Sequence, residues 1–166
     1  ELPIEPYALG VWLAAQDSDV AVTDPEVTMW LEGQGLSLPR LDELAAAHGI
    51  TRQGVVPRQY LRAAPQQRRD LLAGLLDVIG DVDPSGAILL NTASRPMAQD
   101  LYEMLATLGV SAAMSVGPVR GRRRQATVRI TFTSYEPVFR LHHKDVRHKE
   151  MWGRYAIGPA QQRFMT

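Results

Sequence analysis

The sequence predicts an α+β fold made of two similar halves, each organised around one apolar helix. Two apolar stretches have helical spacing and a central glycine, Gly10 in YALGVWLAAQ and Gly74 in LLAGLLDVIG. A segment around residue 130 alternates apolar and polar residues with the period of a half-buried strand. The pattern LEGQG at 31–35 is echoed by LATLG at 105–109, at a similar distance from each stretch. These observations indicate an internal repeat of helix, strand and helix.

Composition limits the classes of protein to which the chain can belong. Its 166 residues suffice for one sizeable core shared by two halves, and the absence of cysteine excludes disulfides and thiol nucleophiles. No apolar run approaches the roughly 20 residues of a membrane span, so we expect a cytoplasmic monomer without membrane contact. The net charge is zero, yet residues 1–50 hold nine acids and one base, whereas residues 118–155 hold ten bases and three acids. The basic third is compatible with a surface that faces a polyanion.

The two central glycines predict close packing of the two apolar helices. Glycine inside a helix costs about 0.5–1 kcal/mol relative to alanine, so each needs a packing reason. The small residues Ala14 and Ala73 lie near them. We therefore expect a helix interface formed by Gly10, Ala14, Ala73 and Gly74, with the second helix beginning at Ala64-Pro65.

The first half, residues 1–56, is predicted to be the shorter one. A strand candidate at 19–23 follows the first apolar helix. Asp24 and Pro25 are typical of a helix start, and that helix ends near 33–35. A further helix is predicted over 39–49, with little sequence left for strands between the two.

The second half, residues 57–150, continues after its apolar helix with a turn at 83–86 and a strand at 87–90. A helix from Ser94 to a Gly109 cap and two strands, 110–116 and 125–134, follow. On the last strand the apolar set is expected to face the core: Ala126, Val128, Ile130 and Phe132. Residues 137–149 predict a final helix or extended arm, and 151–166 an exit segment.

These motifs resemble the twin LAGLIDADG motifs of homing endonucleases. The stretch PRQYLRA at 57–63 with QQRR at 66–69, and PYALGVWL at 6–13, are similar to inteins of actinobacterial, especially mycobacterial, replicative DNA helicases. The resemblance covers roughly residues 3–150. It implies a homing-endonuclease fold with two pseudo-symmetric αββα-type halves, paired motif helices and a saddle of antiparallel sheet.

The resemblance also identifies what has been lost. In the family an acidic residue before the final glycine of each motif holds divalent metal, and the matching positions here are Ala15 and Ile79. Neither side chain offers the oxygen that Mg²⁺ requires. We expect no metal and no cofactor, with Mg²⁺ needed only if Asp17 and Asp81 act as substitutes. Asp77 lies two residues from Ile79, about 200° around the helix, and so faces away from a metal there.

A DNA surface is the remaining implication. In the family the polar face of the sheet lies on double-stranded DNA, with basic loops on the phosphates. A plain soluble hairpin would have the same arginine-rich turn. The residues that would contact DNA are Arg120, Arg122, Arg123, Arg124, Thr127, Arg129, Thr131, Lys144 and Arg147.

Three functional hypotheses follow. The first is a cleavage-inactive homing-endonuclease domain of a helicase intein, weakly binding DNA and partnered by the splicing domain of the same precursor. The second is a catalytically dead module of this fold that binds DNA or protein, and the third an active Mg²⁺-dependent endonuclease using shifted carboxylates. The sequence lacks the first-residue Cys or Ser and the terminal His-Asn that inteins use for splicing. It also has no nucleophile elbow of a serine hydrolase and no P-loop. His142, His143 and His148 lack further ligands at metal-binding spacing.

Overall fold

A computed structural model describes residues 1–17, 24–50, 55–119 and 124–152 of the chain. The architecture is mixed α+β, as the sequence predicts. Its elements are α1 Pro6–Asp17, α2 Pro25–Gly33, α3 Leu38–Ala47, α4 Arg58–Leu61, α5 Pro65–Ile79, β1 Gly80–Val82, β2 Ile88–Thr92, α6 Arg95–Thr107, β3 Ala112–Val116, β4 Val128–Phe132 and α7 at 142–152. None of the helices in these ranges is long and apolar enough to cross a membrane.

Local sequence signals fix the ends of α2, α3 and α6. The side chain of Asp24 accepts a hydrogen bond from the Glu26 amide at the start of α2, and Ser94 does the same for α6. Gly49 and Gly109, just beyond α3 and α6, have φ angles of 67° and 78°, which glycine adopts without steric cost. The predicted starts and stops of these helices are confirmed.

The four strands form one antiparallel sheet in the order β1-β2-β4-β3. Ile88 and Leu90 on β2 and Ile130 and Phe132 on β4 point into the core, where α6 covers them. The three-residue strand β1 was not predicted, because the sequence signal there was only that of a helix end. Ala126 is exposed and precedes β4, so its predicted place in the core is wrong.

The centre of the molecule is the contact between α1 and α5. A Cβ atom added to Gly10 would overlap the carbonyl oxygen of Leu71 and lie 3.1 Å from the Cα of Gly74. A Cβ atom added to Gly74 would overlap the carbonyl oxygen of Tyr7 and lie 3.1 Å from the Cα of Gly10. Tyr7 and Leu71 each stand three residues before their glycine. The predicted close packing is therefore present, and the contact is reciprocal, as a local twofold axis requires.

The halves differ outside this helix pair. All four strands belong to the second half, and the first half contains no strand within 1–17, 24–50 and 55–56. Only four residues, 34–37, separate α2 from α3, which leaves no room for a hairpin. In the described part of the chain the strands of the predicted pseudo-symmetric αββα pattern are thus seen in the second half alone. The predicted strand at 19–23 and exit segment beyond 152 lie outside the described residues.

Candidate functional site

Equivalent ends of α1 and α5 carry the two positions predicted to have lost their acids. Ala15 and Ile79 each stand five residues after a contacting glycine, and both are half-buried. An alanine and an isoleucine offer no ligand atom to a hard cation, which takes oxygen ligands. The side chains at these positions therefore do not fit a metal ion.

Asp17, at the end of α1, is engaged in the fold. Its Oδ1 atom accepts hydrogen bonds from the Thr92 hydroxyl at 2.9 Å and from the Ala93 amide at 3.0 Å. Thr92 is fully buried at the end of β2. The carboxylate thus ties α1 to the β2–α6 connection.

Asp81 lies just beyond α5 and is exposed. Its Oδ1 atom accepts from the Val82 amide at 2.8 Å and lies 3.4 Å from Arg147 Nη1. Within the described ranges no three His, Cys, Asp or Glu side chains are grouped so that they could hold a metal ion. The possible substitutes predicted from the sequence therefore do not assemble a metal centre in that part of the chain.

Asp77 is a buried acid on α5, and only 3% of it is exposed. It accepts a 2.5 Å hydrogen bond from the Tyr7 hydroxyl and bonds of 3.0 and 3.2 Å from the amides of Arg140 and Leu141. Burial raises the pKa of Asp77, and these hydrogen bonds offset the rise only in part. Burial and the neighbouring carboxylate likewise raise the pKa of Tyr7. The carboxyl group joins α5, α1 and the segment entering α7.

Lys144 closes the C-terminal end of α5. Its ammonium donates to three carbonyl oxygens, those of Leu76 at 3.0 Å, Asp77 at 2.9 Å and Gly80 at 2.7 Å. A cation is favoured there because the last carbonyls of a helix are unpaired and carry its negative dipole end. Burial lowers the pKa of Lys144, against the attraction of nearby carboxylates. The sequence placed this lysine on a DNA surface, whereas the structure directs its charge into the protein.

Residues 140–144, which we call the strap, also bind the first half. The Arg140 guanidinium lies 4.2 Å from the centre of the Tyr7 ring and 5.5 Å from that of Trp30, and 3.3 Å from Asp70. The histidines do not converge, because His143 pairs with Asp24 at 3.1 Å while the buried His148 lies elsewhere on α7. The amide of His142 donates to Glu26 at 2.7 Å.

The outer face of the sheet is the surface predicted to meet DNA. Cross-strand register places Asn91, Arg129 and Ser115 in one row of that face, and Arg129 Nε donates to Asn91 Oδ1 at 3.1 Å. Thr131 is half-buried in the next row, between Leu89 and Ala113. This face is polar and of mixed charge, because Asp81 shares the row of Thr131.

Other predicted DNA contacts are placed differently. Thr127 is only 4% exposed and its hydroxyl donates to the Pro118 carbonyl at 2.6 Å, because residues 117–118 lie over it. Its expected exposure on the sheet surface is wrong. Arg124 is exposed with a φ of 49° and Arg147 is exposed beside Asp81. Arg120, Arg122 and Arg123 lie outside the described residues.

Most contacts of the strap were not predicted from the sequence. Nothing in the periodicity of α5 distinguishes Asp77 from a solvent-facing acid, and its partners stand 63 to 70 residues away. The available signal was that Asp77 is the one charged residue in the stretch 71–79 of α5, which is otherwise apolar or small, and burial of an acid without a partner is costly.

Comparison with known proteins finds a relative but no matching family model. The chain is 33% identical over 156 residues to a protein of Mycobacterium intracellulare named replicative DNA helicase DnaB. The alignment covers 90% of this chain and 27% of that protein, so the chain spans about a quarter of the relative's length. The predicted link to a mycobacterial replicative helicase sequence is confirmed.

Proposed function

We propose that this chain is a degenerate LAGLIDADG homing-endonuclease domain, part of an intein in a replicative DNA helicase, that no longer cleaves DNA. The observation that carries the proposal is the reciprocal contact of Gly10 with Gly74, with Ala15 and Ile79 at equivalent helix ends. Two helices packed backbone to backbone about a local twofold axis are what the twin motifs imply. The non-ligating side chains at their ends support a loss of cleavage.

The loss of cleavage follows from the absence, among the described residues, of carboxylate ligands that are free to bind a metal ion. Hydrolysis of DNA by a metal-dependent nuclease requires carboxylates that place cations on the attacking and leaving oxygens. Asp17 is held by Thr92 and Ala93, and Asp81 faces Arg147. An active Mg²⁺-dependent enzyme would need both residues to leave these partners together.

The relative supports the placement in a helicase precursor. Because the alignment covers 27% of that protein, most of that polypeptide lies outside the matching region. A homing-endonuclease domain inside an intein is such an inserted region, and its partner is the splicing domain of the same precursor. We propose a cytoplasmic location, as for the helicase that would carry it.

Residual DNA binding is proposed for the outer face of the sheet. Arg129 and the exposed Arg124 would contact phosphates, while Asp81 on the same face opposes an anion. Binding that rests on a few phosphate contacts is weak and falls steeply with added salt.

The decisive experiment offers the purified chain a plasmid that carries the helicase gene without the insertion, in Mg²⁺ or Mn²⁺. We expect no cleavage, and affinity for the same DNA that falls as salt increases. The double variant Ala15→Asp, Ile79→Asp asks whether acids alone restore cleavage, and Ala15→Asn, Ile79→Asn is its uncharged control. Site-specific cleavage by the unmodified chain would refute the inactive assignment and favour the shifted carboxylates.

The second candidate is an inactive module of this fold that binds protein. It is favoured by the edge strand β3, where Met114 and Val116 are 41% and 88% exposed. The surrounding reading frame separates the two candidates, since helicase and splicing sequence on both sides would support only the intein domain.

A further inference from the structure

A second buried polar cluster lies away from the motif helices, where α7 packs on the chain after β4. The imidazole of His148 is completely buried, 5.9 Å from the Phe139 ring and 4.9 Å from the Trp152 ring, centre to centre. Its Nε2 atom lies 2.9 Å from the carbonyl oxygen of Ser134. The proposed function uses none of these residues.

Hydrogen-bond chemistry determines the tautomer of His148. The Ser134 oxygen is an acceptor only, so an Nε2 atom at 2.9 Å from it must carry the hydrogen. The indole nitrogen of Trp152, a donor only, lies 2.5 Å from the same oxygen, which has a second lone pair to receive it. The indole nitrogen is also 3.0 Å from Nε2, but it can donate to Nε2 only when the ring hydrogen is on Nδ1, which would leave Nε2 and the Ser134 oxygen as two acceptors facing each other. A neutral His148 protonated at Nε2 leaves Nδ1 as an acceptor.

That acceptor is accompanied by another. Nδ1 of His148 and Oδ1 of Asp145 are both buried, and within the described part of the chain neither has a hydrogen-bond partner. The two residues are three positions apart on α7, so their side chains are neighbours on one helix face. Buried polar atoms in native proteins are almost always paired with protein or with ordered water.

The charges around the pair determine which kind of molecule can donate to both acceptors. Lys149 lies 2.9 Å from the other oxygen of Asp145 and neutralises that carboxylate. Burial lowers the pKa of His148, against the Ser134 hydrogen bond and the attraction of Asp145, and Lys149 adds to the lowering. A cation would therefore meet a site without net negative charge. What both acceptors lack is an uncharged molecule with two hydrogens to donate.

We propose that His148 and Asp145 enclose one buried water molecule that donates a hydrogen bond to Nδ1 of the first and to Oδ1 of the second. Water is small enough to bridge neighbouring side chains on a helix face, and it needs only two to four polar partners. By occupying Nδ1 as a donor, the water holds the hydrogen of the ring on Nε2. That hydrogen is the one that fastens α7 to the Ser134 carbonyl.

Nuclear magnetic resonance of the ¹⁵N-labelled chain tests this directly. We expect a neutral His148 with hydrogen on Nε2 at pH 7, and a cross-peak between water and the ring proton next to Nδ1 in a rotating-frame Overhauser spectrum. The exposed His142 is the internal reference. An imidazolium ring at pH 7, a hydrogen on Nδ1 of a neutral ring, or no water cross-peak in the unmodified chain would each overturn the proposal.

Asp145→Leu removes one of the two acceptors without removing the histidine. We expect the water cross-peak to disappear, and to persist in Glu150→Leu, an exposed acid on the same helix. Persistence of the cross-peak in Asp145→Leu would contradict a bridge to that carboxylate. If this variant fails to fold, the spectra of the unmodified chain decide by the criteria already given.

Discussion

The helices α1 and α5 are alike where they touch and different elsewhere. Each presents a glycine to the backbone of the other, and the atoms met by a methyl group on either glycine correspond one for one. Three residues later α1 has Leu13 and α5 has Asp77, both buried. The end of α5 is closed by Lys144, whereas α1 ends at Asp17 beside Thr92. The shared contact explains how the two halves pair. The differences arise because the strap binds Asp77 and the C-terminal end of α5, and not the equivalent positions of α1.

The largest effect should come from breaking the shared contact. Gly74→Ala places a methyl group against the Tyr7 carbonyl and 2.9 Å from the Val11 amide, and Gly10→Ala does the same to Leu71 and Leu75. Because backbone atoms cannot rotate aside, we expect each to lower the free energy of unfolding by about 3 kcal/mol or more. Urea denaturation measures this loss.

Gly33→Ala is the matched control for these variants. It also lies in a helix, but a methyl group there meets nothing within 4 Å. We expect it to be neutral or slightly stabilising. Equal losses at all three glycines would show that the α1–α5 contact is not their cause, because helix propensity alone favours alanine over glycine.

The next largest loss of stability is expected at Asp77, where α1 has Leu13 instead. Asp77→Ala leaves the buried Tyr7 hydroxyl and the amides of Arg140 and Leu141 without their acceptor, so we expect a loss of about 3 kcal/mol in chemical denaturation. Asp77→Asn keeps the shape and one acceptor oxygen, and should cost less. An Asp77→Ala variant as stable as the parent would contradict the joining role of this carboxyl group.

The pH dependence of Asp77 has a definite sign. Its pKa in the folded protein lies above the ordinary value, so the folded state binds the proton more tightly than the unfolded state. The stability that this provides is complete below the ordinary pKa and is lost as pH rises through the raised one. Asp77→Asn should therefore flatten the stability profile on the alkaline side of pH 4, relative to the parent.

A smaller effect is expected at the closed end of α5. Lys144→Met keeps the length of the side chain but removes the donor from three carbonyl groups. We expect a loss of about 1–2 kcal/mol, as for a cation at a partly buried helix C-terminus. Lys149→Met is the control, because that lysine lies on the same helix and is half-exposed beside Asp145. A larger loss in the control would argue against the capping role.

Sequence reasoning succeeded where the cause is local. Asp24, Ser94 and Gly109 mark helix ends through interactions within a few residues. Gly74 indicates close packing against another backbone, whichever segment provides it. It failed where the cause is a distant segment. The cover that residues 117–118 give to Thr127, and the amides that the strap brings to Asp77, leave no mark in the periodicity of either strand or helix.

The candidate site was predictable in identity but not in surroundings. That Ala15 and Ile79 occupy equivalent helix ends follows from the spacing to Gly10 and Gly74 once these glycines are paired. That Asp17 is held by Thr92, on the far side of α5 in sequence, required the tertiary structure. The resemblance assigned Lys144 to a DNA surface, because a basic run looks the same whether it caps a helix or faces solvent.

The smallest expected effect concerns the N-caps of α2 and α6, the helices that follow α1 and α5 in the chain. The cap of α2 is the carboxylate Asp24, and that of α6 is the hydroxyl of Ser94. Burial opposes ionisation of Asp24, but hydrogen bonds from the Glu26 amide and His143 outweigh it and lower the pKa of that carboxyl. Its stabilisation is therefore present above the ordinary value of 3.8 and is lost as pH falls through the lowered pKa.

Asp24→Ala and Ser94→Ala should each cost about 1 kcal/mol at pH 7, the usual value for a helix N-cap. Only the cost of Asp24→Ala should shrink as pH falls below the ordinary value of 3.8 and through the lowered pKa, since protonation then weakens the cap in the parent chain. Asp24→Asn, which keeps the cap without the charge, should show no such pH dependence. Thermal unfolding at pH 7 and pH 3 distinguishes these cases, and a parallel decline for both alanine variants would mean that the two caps do not differ in the way their chemistry requires.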